Sequence, residues 1–353
     1  MLDIVFVLLH ASNKPIGGYK IVYEYANKLS ERGYSVGIAY YTGDFAIRYN
    51  IPYIIRNTIA CVYNNIQIHR IPTWFHLDSS IHKFSVSSNR DIPYCKNLIA
   101  TAYSTAKVVS GSEALNKMYF IQGFEKWNGV SSEDVKNSYR LGMKNIVIAK
   151  WLKKIVDEAC GNDESILIPN GLDLTVFNLK RPLKTRKRHI AMLYSSVSLK
   201  GSIYGIKALI KLKEMFPDLK ATLFGTVQRP IYLPNWINYM QNASQEKLRE
   251  IYNEAQVYIY PSIEEGFGLT CVESMACGCA LCSTNYLGVY EFAVDKENAF
   301  LSPIKDVDAM VNNVKILLEN DELRMKISRN CINTVKKFDW NISVSKFEQL
   351  LVK

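Results

Sequence analysis

Ile259-Tyr260-Pro261-Ser262-Ile263-Glu264-Glu265-Gly266-Phe267-Gly268-Leu269-Thr270-Cys271-Val272-Glu273 is the stretch that decides the fold. An apolar run stops at a proline, turns through two glycines and re-enters an amphipathic segment, the pattern of a strand, a loop and a helix. A helix beginning just after Gly268 leaves Glu265 on the loop and puts Glu273 on its first turns, so the seven residues between the two carboxylates allow both to face one pocket. The glycines let backbone N–H groups approach a ligand closely. The helix N-terminus adds partial positive charge suited to a phosphate or a sugar oxygen.

Outward from this stretch the same alternation recurs. Further strands are expected at 190–194 and 221–225, with 257–260 the strand of the opening stretch, and helices at 205–216 and 244–254, the latter capped by Ser244. The first half opens with a strand at 4–9, a loop ending in Gly17-Gly18, a helix carrying Ile21, Val22, Tyr25 and Leu29, and a strand at 35–40. Strands are also expected at 106–110 and 145–149, and 166–171 closes the half. Such alternation predicts parallel sheets covered by helices, with ligands at the carboxyl ends of the strands. Only Gly17-Gly18 stands where a nicotinamide enzyme would place Gly-x-Gly-x-x-Gly, which disfavours that class.

The 353 residues suit two domains rather than one core. A charged fraction of 22% against 48% apolar residues leaves no room for a long disordered region. The net charge of +10 favours anionic partners such as nucleotide diphosphates or an anionic membrane surface. Its Lys and Arg residues are scattered and form no nucleic-acid-binding motif, so no nucleic acid is expected. The run 1–9 is too short to span a membrane and lacks a basic lead, so a cytoplasmic chain with reduced cysteines is expected, in peripheral contact at most with the inner membrane face. Cys277, Cys279 and Cys282 read as small packing residues rather than metal ligands, and no metal is expected.

The segment Pro261-Ser262 through Gly266-Phe267-Gly268-Leu269, with Glu273, Met275-Ala276 and Gly278, resembles the donor-site segment of the retaining GT-B glycosyltransferases of family 4. The likeness continues through Ser283-Thr284-Asn285, Gly288, Glu291 and 297–301. It implies the GT-B fold, two Rossmann-like doubly wound parallel-sheet α/β domains facing a cleft. Residues 1–178, joined by a C-terminal helix at 339–353, would form the acceptor domain and 179–338 the donor domain. The basic stretch 181–188 reads as a solvated interdomain linker.

The same resemblance implies the roles. Glu273 would accept from the ribose hydroxyls, Glu265 would face the transferred sugar beside the N–H groups of Gly266, Phe267 and Gly268, Leu269 would belong to the same donor site, and Lys200 would stabilise the leaving diphosphate. Alternatively Glu265 caps the helix and Glu273 makes a surface pair. Gly17 and Gly18 would approach the diphosphate or the acceptor with their backbone, or form a plain tight turn. Where the family commonly places an arginine, five residues ahead of the lysine, this chain has Ser195.

The segment 119–127, followed by Tyr139-Arg140-Leu141-Gly142 and Ala149-Lys150-Trp151-Leu152, is similar to the rhamnosyltransferase branch. Its polar residues Gln122 and Glu125 are the acceptor candidates, with a loop-ordering salt bridge for Glu125 as the alternative. His76 and His82 border an exposed aromatic loop over the acceptor cleft or against lipid, without a catalytic role. The expected activity is transfer of a sugar from a nucleotide-diphosphate sugar, a co-substrate with no further cofactor, to a glycan or lipid-linked acceptor. A catalytically silent subunit that supports a partner transferase is the alternative.

Overall fold

The apolar run Ile4–Val7 has no exposed surface at all, because the strand that contains it lies at the centre of a sheet covered on both faces. A computed structural model describes residues 1–43, 53–68, 70–126 and 130–352. It divides into two compact units, 1–169 with 343–353, and 170–342.

In the first unit the elements run β1 (Leu2–Leu9), α1 (Gly17–Glu31), β2 (Val36–Tyr41), α2 (Tyr53–Ile68), β3 (His82–Val86), β4 (Cys95–Ala100), α3 (Tyr103–Ser110), β5 (Ala114–Ile121), α4 (Ser132–Tyr139), β6 (Lys144–Val147), α5 (Lys150–Cys160) and β7 (Ile166–Leu167). The strands form one parallel sheet in the order β3-β2-β1-β4-β5-β6-β7. Chain order reverses between β1 and β4, and open sheets of this kind bind ligands outside the strands' carboxyl ends at such a point.

In the second unit come β8 (His189–Leu193), α6 (Ser202–Met215), β9 (Lys220–Gly225), β10 (Ile237–Gln241), α7 (Gln245–Glu254), β11 (Val257–Tyr260), α8 (Leu269–Ala276), β12 (Ala280–Thr284), β13 (Ala299–Ser302), α9 (Val307–Glu319) and α10 (Asp321–Val335). Its parallel sheet has the order β10-β9-β8-β11-β12-β13, so the switch point lies between β8 and β11. Ser244 caps α7, its hydroxyl accepting from the Lys247 N–H at 3.2 Å.

The last helix, α11 (Trp340–Glu348), contains the boundary between the units. From Ser343 onward the chain packs on the first sheet. Phe347 meets the rings of Tyr25, Phe6 and Phe120 at 4.7, 6.0 and 6.2 Å. Asn97 both donates to the carbonyl of Val352 and accepts from its N–H, each at 2.9 Å, and Asn116 donates to the carbonyl of Leu350 at 3.0 Å.

Four expectations change. Residues 106–110 are helical, part of α3, because the Thr105 hydroxyl accepts from the N–H groups of Thr101 and Ala102 at 3.0 Å and stops the chain at a helix start. Residues 170–178 pack with the second unit. The Leu172 N–H donates to the Phe338 carbonyl at 2.6 Å, and Phe177 lies 6.1 Å from the Tyr252 ring. The 181–188 stretch is not simply solvated, since Arg186 is buried, its Nη1 donating to the carbonyl of Ala255 at 2.7 Å and its Nη2 to that of Cys277 at 2.6 Å. The loop around Trp74 and Phe75 is exposed at His76 and at 78–80, but its two aromatic residues are only partly so. Their rings pack on Tyr23 at 5.8 and 5.5 Å, and His82 begins β3.

Candidate active site

Two loops leave the switch point of the second sheet, 194–201 after β8 and 261–268 after β11, and backbone hydrogen bonds join them. The Ile263 and Glu264 N–H groups donate to the Leu199 carbonyl at 2.8 and 3.3 Å, and the Ser262 hydroxyl donates to it at 3.2 Å. Gly201 must be glycine. Its φ of +62° is left-handed, and a Cβ there would fall on the carbonyl oxygen of Pro261.

This joining brings Lys200 and Glu265, distant in sequence, into an ion pair through Glu265 Oε2. The Tyr260 hydroxyl donates to the same oxygen at 2.7 Å. Burial, and next the charge of Glu265, hold that hydroxyl well above its usual pKa range, so it remains a donor. Both members of the ion pair stay partly exposed.

Two helices begin here with a left-handed glycine as N-cap and no side-chain cap, α6 after Gly201 and α8 after Gly268. Each puts the positive end of its dipole at the end of one of these two joined loops, an arrangement suited to an anion. Glu265 therefore does not cap α8. Phe267 is buried against Phe338 and Phe292 at 5.3 and 5.5 Å, which fixes the Gly266-Phe267-Gly268-Leu269 turn. At Gly268 φ is +108°, and the Tyr286 hydroxyl, which donates to the Phe267 carbonyl at 3.1 Å, would collide with a Cβ.

Glu273 lies on α8 and is buried, so it is no surface pair. Its Oε2 accepts from the Tyr252 hydroxyl at 3.3 Å. Ser195 carries no charge into the site. Its N–H donates to the Ser202 hydroxyl at 2.9 Å and its own hydroxyl accepts from the Val197 N–H at 3.2 Å, closing the loop onto α6. Cys277, Cys279 and Cys282 are buried, and burial raises all three thiols, that of Cys279 to about 12. Cys279 donates to the carbonyl of Tyr252 at 3.0 Å, as a packing residue would.

In the first unit, Gly17 and Gly18 open α1, which again has no side-chain cap, just after β1. Gln122, just past the end of β5, donates from Nε2 to the Gly18 carbonyl at 3.2 Å. The switch point thus gathers Gly17, Gly18 and Gln122. Glu125 Oε1 accepts from the Tyr103 N–H at 3.0 Å, at the start of α3. Trp127, in the same expected segment, lies outside the described residues.

Tyr260 and Tyr252, which hold the two carboxylates, went unnoticed in the sequence. Tyr260 had a signal, being the last residue of an expected strand whose carboxyl end was expected to face a ligand. Tyr252 had none beyond its place on the apolar face of a helix.

Residues 178–334 match the family model for glycosyl transferases group 1. The chain is 30% identical over 105 residues to the O-antigen chain mannosyltransferase B of Escherichia coli, covering 30% of this chain and 27% of that protein. It is 26% identical over 209 residues to the phosphatidyl-myo-inositol mannosyltransferase of Mycolicibacterium smegmatis, covering 56% and 54%. The chain thus spans about a quarter and about half the lengths of these two relatives. In fold it is similar to the sucrose-phosphate synthase of Thermosynechococcus elongatus, with a TM-score of 0.75, 15% identity and coverage of 99% and 98%. It is also similar to Anabaena HepE in complex with UDP and glucose, with a TM-score of 0.72, 14% identity and 99% of both chains covered. The fold is therefore that of two parallel-sheet α/β domains like those of GT-B glycosyltransferases, and residues 178–334 are similar to the glycosyl transferases group 1 family.

Proposed function

We propose that the protein transfers a hexose from a nucleotide-diphosphate sugar to a glycan or lipid-linked saccharide, with retention of anomeric configuration, in the synthesis of a surface polysaccharide or glycoconjugate. The observation that carries the reading is the Lys200–Glu265 pair set between the uncapped N-termini of α6 and α8. One cation and two helix ends suit a diphosphate, and a carboxylate beside them suits the sugar's hydroxyls.

In this reading Glu273 accepts from the ribose. Lys200 and the helix N-termini supply the positive charge that stabilises the departing diphosphate, so no metal is assigned a step. The bond from the anomeric carbon to the phosphate oxygen breaks, the acceptor oxygen bonds to that carbon on the same face, and the acceptor's proton passes to the departing phosphate oxygen. Gly17, Gly18 and Gln122, gathered at the first sheet's switch point, are assigned to the acceptor or the diphosphate. Glu125 orders the loop beside them.

The test is transfer from GDP-mannose and UDP-glucose to lipid-linked and oligosaccharide acceptors, with the product's configuration read by NMR. Lys200→Ala and Glu265→Ala should each abolish transfer. Inverted product would overturn retention, and full activity in both variants would overturn the site.

Ser195 motivates a second reading, a silent subunit, because its hydroxyl closes a loop where a second diphosphate cation was expected. Support of a partner transferase undiminished by Lys200→Ala and Glu265→Ala would favour it.

Peripheral membrane contact is also part of the proposal. On α2, Ile55, Ile59, Val62, Tyr63 and Ile66 are exposed at helical spacing along one face. No acidic residue occurs from Phe45 to Leu77, which suits an anionic surface. Among the described residues no helix is long and apolar enough to cross a membrane. Co-sedimentation with phosphatidylglycerol vesicles, lost in Ile59→Glu, is the expected result, and unchanged binding in that variant would exclude the α2 face.

A further inference from the structure

We propose that Tyr260 is a positioning residue that divides the Glu265 carboxylate in two, Oε2 being held by the protein and Oε1 presented to a hydroxyl of the transferred sugar. The inference rests on reading the second unit as a nucleotide-sugar site. It goes further by assigning a task to a residue outside the glycine turn and by separating the tasks of two oxygens of one carboxylate.

Lys200 Nζ and the Tyr260 hydroxyl converge on Oε2, and among the described residues no donor reaches Oε1. A terminal carboxylate torsion is broad and nearly two-fold, so a carboxylate held by one flexible partner interchanges its oxygens. A lysine is such a partner, with three equivalent N–H groups on a four-carbon stem. A second donor of fixed direction removes the freedom. Tyr260 has that fixity, since its side chain is buried, its ring meets Tyr286 edge-on at 5.6 Å and stacks on Tyr258 at 6.2 Å, and its carbonyl accepts from the Ser283 hydroxyl at 3.2 Å.

The divided carboxylate also sorts the ligand. Oε1 is a charged acceptor, so it repels phosphate and takes an O–H donor, whereas Lys200 retains N–H groups for the phosphate. Glycosyl donors carry both groups, a hydroxyl-bearing ring and a diphosphate, joined through one carbon.

The experiment is calorimetric titration of the unsubstituted chain, Tyr260→Phe and Glu265→Gln with matched pairs of bare nucleoside diphosphate and the corresponding nucleotide sugar, using whichever of the UDP, GDP, dTDP and ADP pairs binds. Tyr260→Phe should weaken the nucleotide sugar about tenfold, the size of one hydrogen bond to a charged group. The bare diphosphate should bind within twofold of the unsubstituted chain, and the unfolding temperature should hold. Equal effects on both ligands, or none, in Tyr260→Phe, together with selective loss of the sugar in Glu265→Gln, would overturn the role of Tyr260 alone. Unchanged sugar discrimination in both variants would overturn the placement of Glu265 at the sugar. A measurement that needs no variant is titration with nucleotide sugars lacking one sugar hydroxyl at a time. One such deletion should cost the unsubstituted chain the same tenfold, and the absence of any such hydroxyl would overturn the proposal.

Discussion

The Tyr252 hydroxyl, on α7, donates to Oε2 of Glu273, on α8, at 3.3 Å, with both side chains buried. A buried hydroxyl and a buried carboxylate thereby satisfy part of each other's demand. Removing the carboxylate strands the hydroxyl, at a cost of about 1–3 kcal/mol. Glu273→Ala should lower the urea midpoint by an amount in that range. It should also weaken nucleoside diphosphate binding about tenfold or more in calorimetric titration. Unchanged nucleotide affinity in a destabilised variant would leave Glu273 a packing role and no contact with the ribose.

Two left-handed glycines offer a matched pair of tests. At Gly201 the positive φ combines with a collision on the Pro261 carbonyl, whereas at Gly161, with φ of +72°, a Cβ would meet nothing within 4 Å. Gly161→Ala should cost only the backbone term, about 1–2 kcal/mol. Gly201→Ala must in addition separate the two loops that bring Lys200 to Glu265. It should cost more, and it should reduce transfer even at temperatures where the protein is folded, measured as kcat alongside circular dichroism.

Arg186 is expected to matter for stability more than any exposed cation. Its guanidinium serves four carbonyls, those of Arg181, Tyr252, Ala255 and Cys277. Arg186→Met should cost about 3 kcal/mol or more in chemical denaturation, because those acceptors lose their donor together. Arg186→Lys should rescue little, since an ammonium lacks the planar fork. Arg188→Met, at an exposed pair with Asp218, should cost about 1 kcal/mol or less.

His189 sets a pH dependence. Burial lowers its pKa from the usual 6.5, against the opposing charge of Glu254, and its Nε2 lies 2.9 Å from the Thr222 hydroxyl. The folded chain therefore binds this proton less readily than the unfolded chain. Stability is full above about pH 6.5 and falls as the pH drops from there through the folded pKa. Urea midpoints measured from pH 7.5 to 5 should show this loss in the unsubstituted chain, and His189→Asn should flatten that part of the profile. An equal slope in both would assign the loss to other groups.

Periodicity and turn chemistry made the strand, turn and helix around Pro261 legible, since a proline, two glycines and helical spacing all act locally. At 106–110 the same kind of reading failed. Val108 and Val109 suggested a strand, while the deciding interaction was the Thr105 hydroxyl accepting from the backbone just before the helix. Lys200 and Glu265 could each be named from the resemblance, but their pairing depends on the order of strands in the sheet, which brings the ends of β8 and β11 together. Tyr260 was harder, because its role depends on which of two equivalent oxygens it reaches. Arg186 was hidden by its neighbours, a basic and proline-containing run that reads as solvated until the helix and loop carbonyls it serves are located.

The boundary inside α11 has a consequence for how the protein is made. The first unit is not a continuous stretch of chain, for residues 343–352 supply Phe347 to its core and partners for Asn97 and Asn116. During synthesis the 173 residues of 170–342 emerge before that closing segment does. The core of the first unit is therefore completed only after the whole of the second has been synthesised.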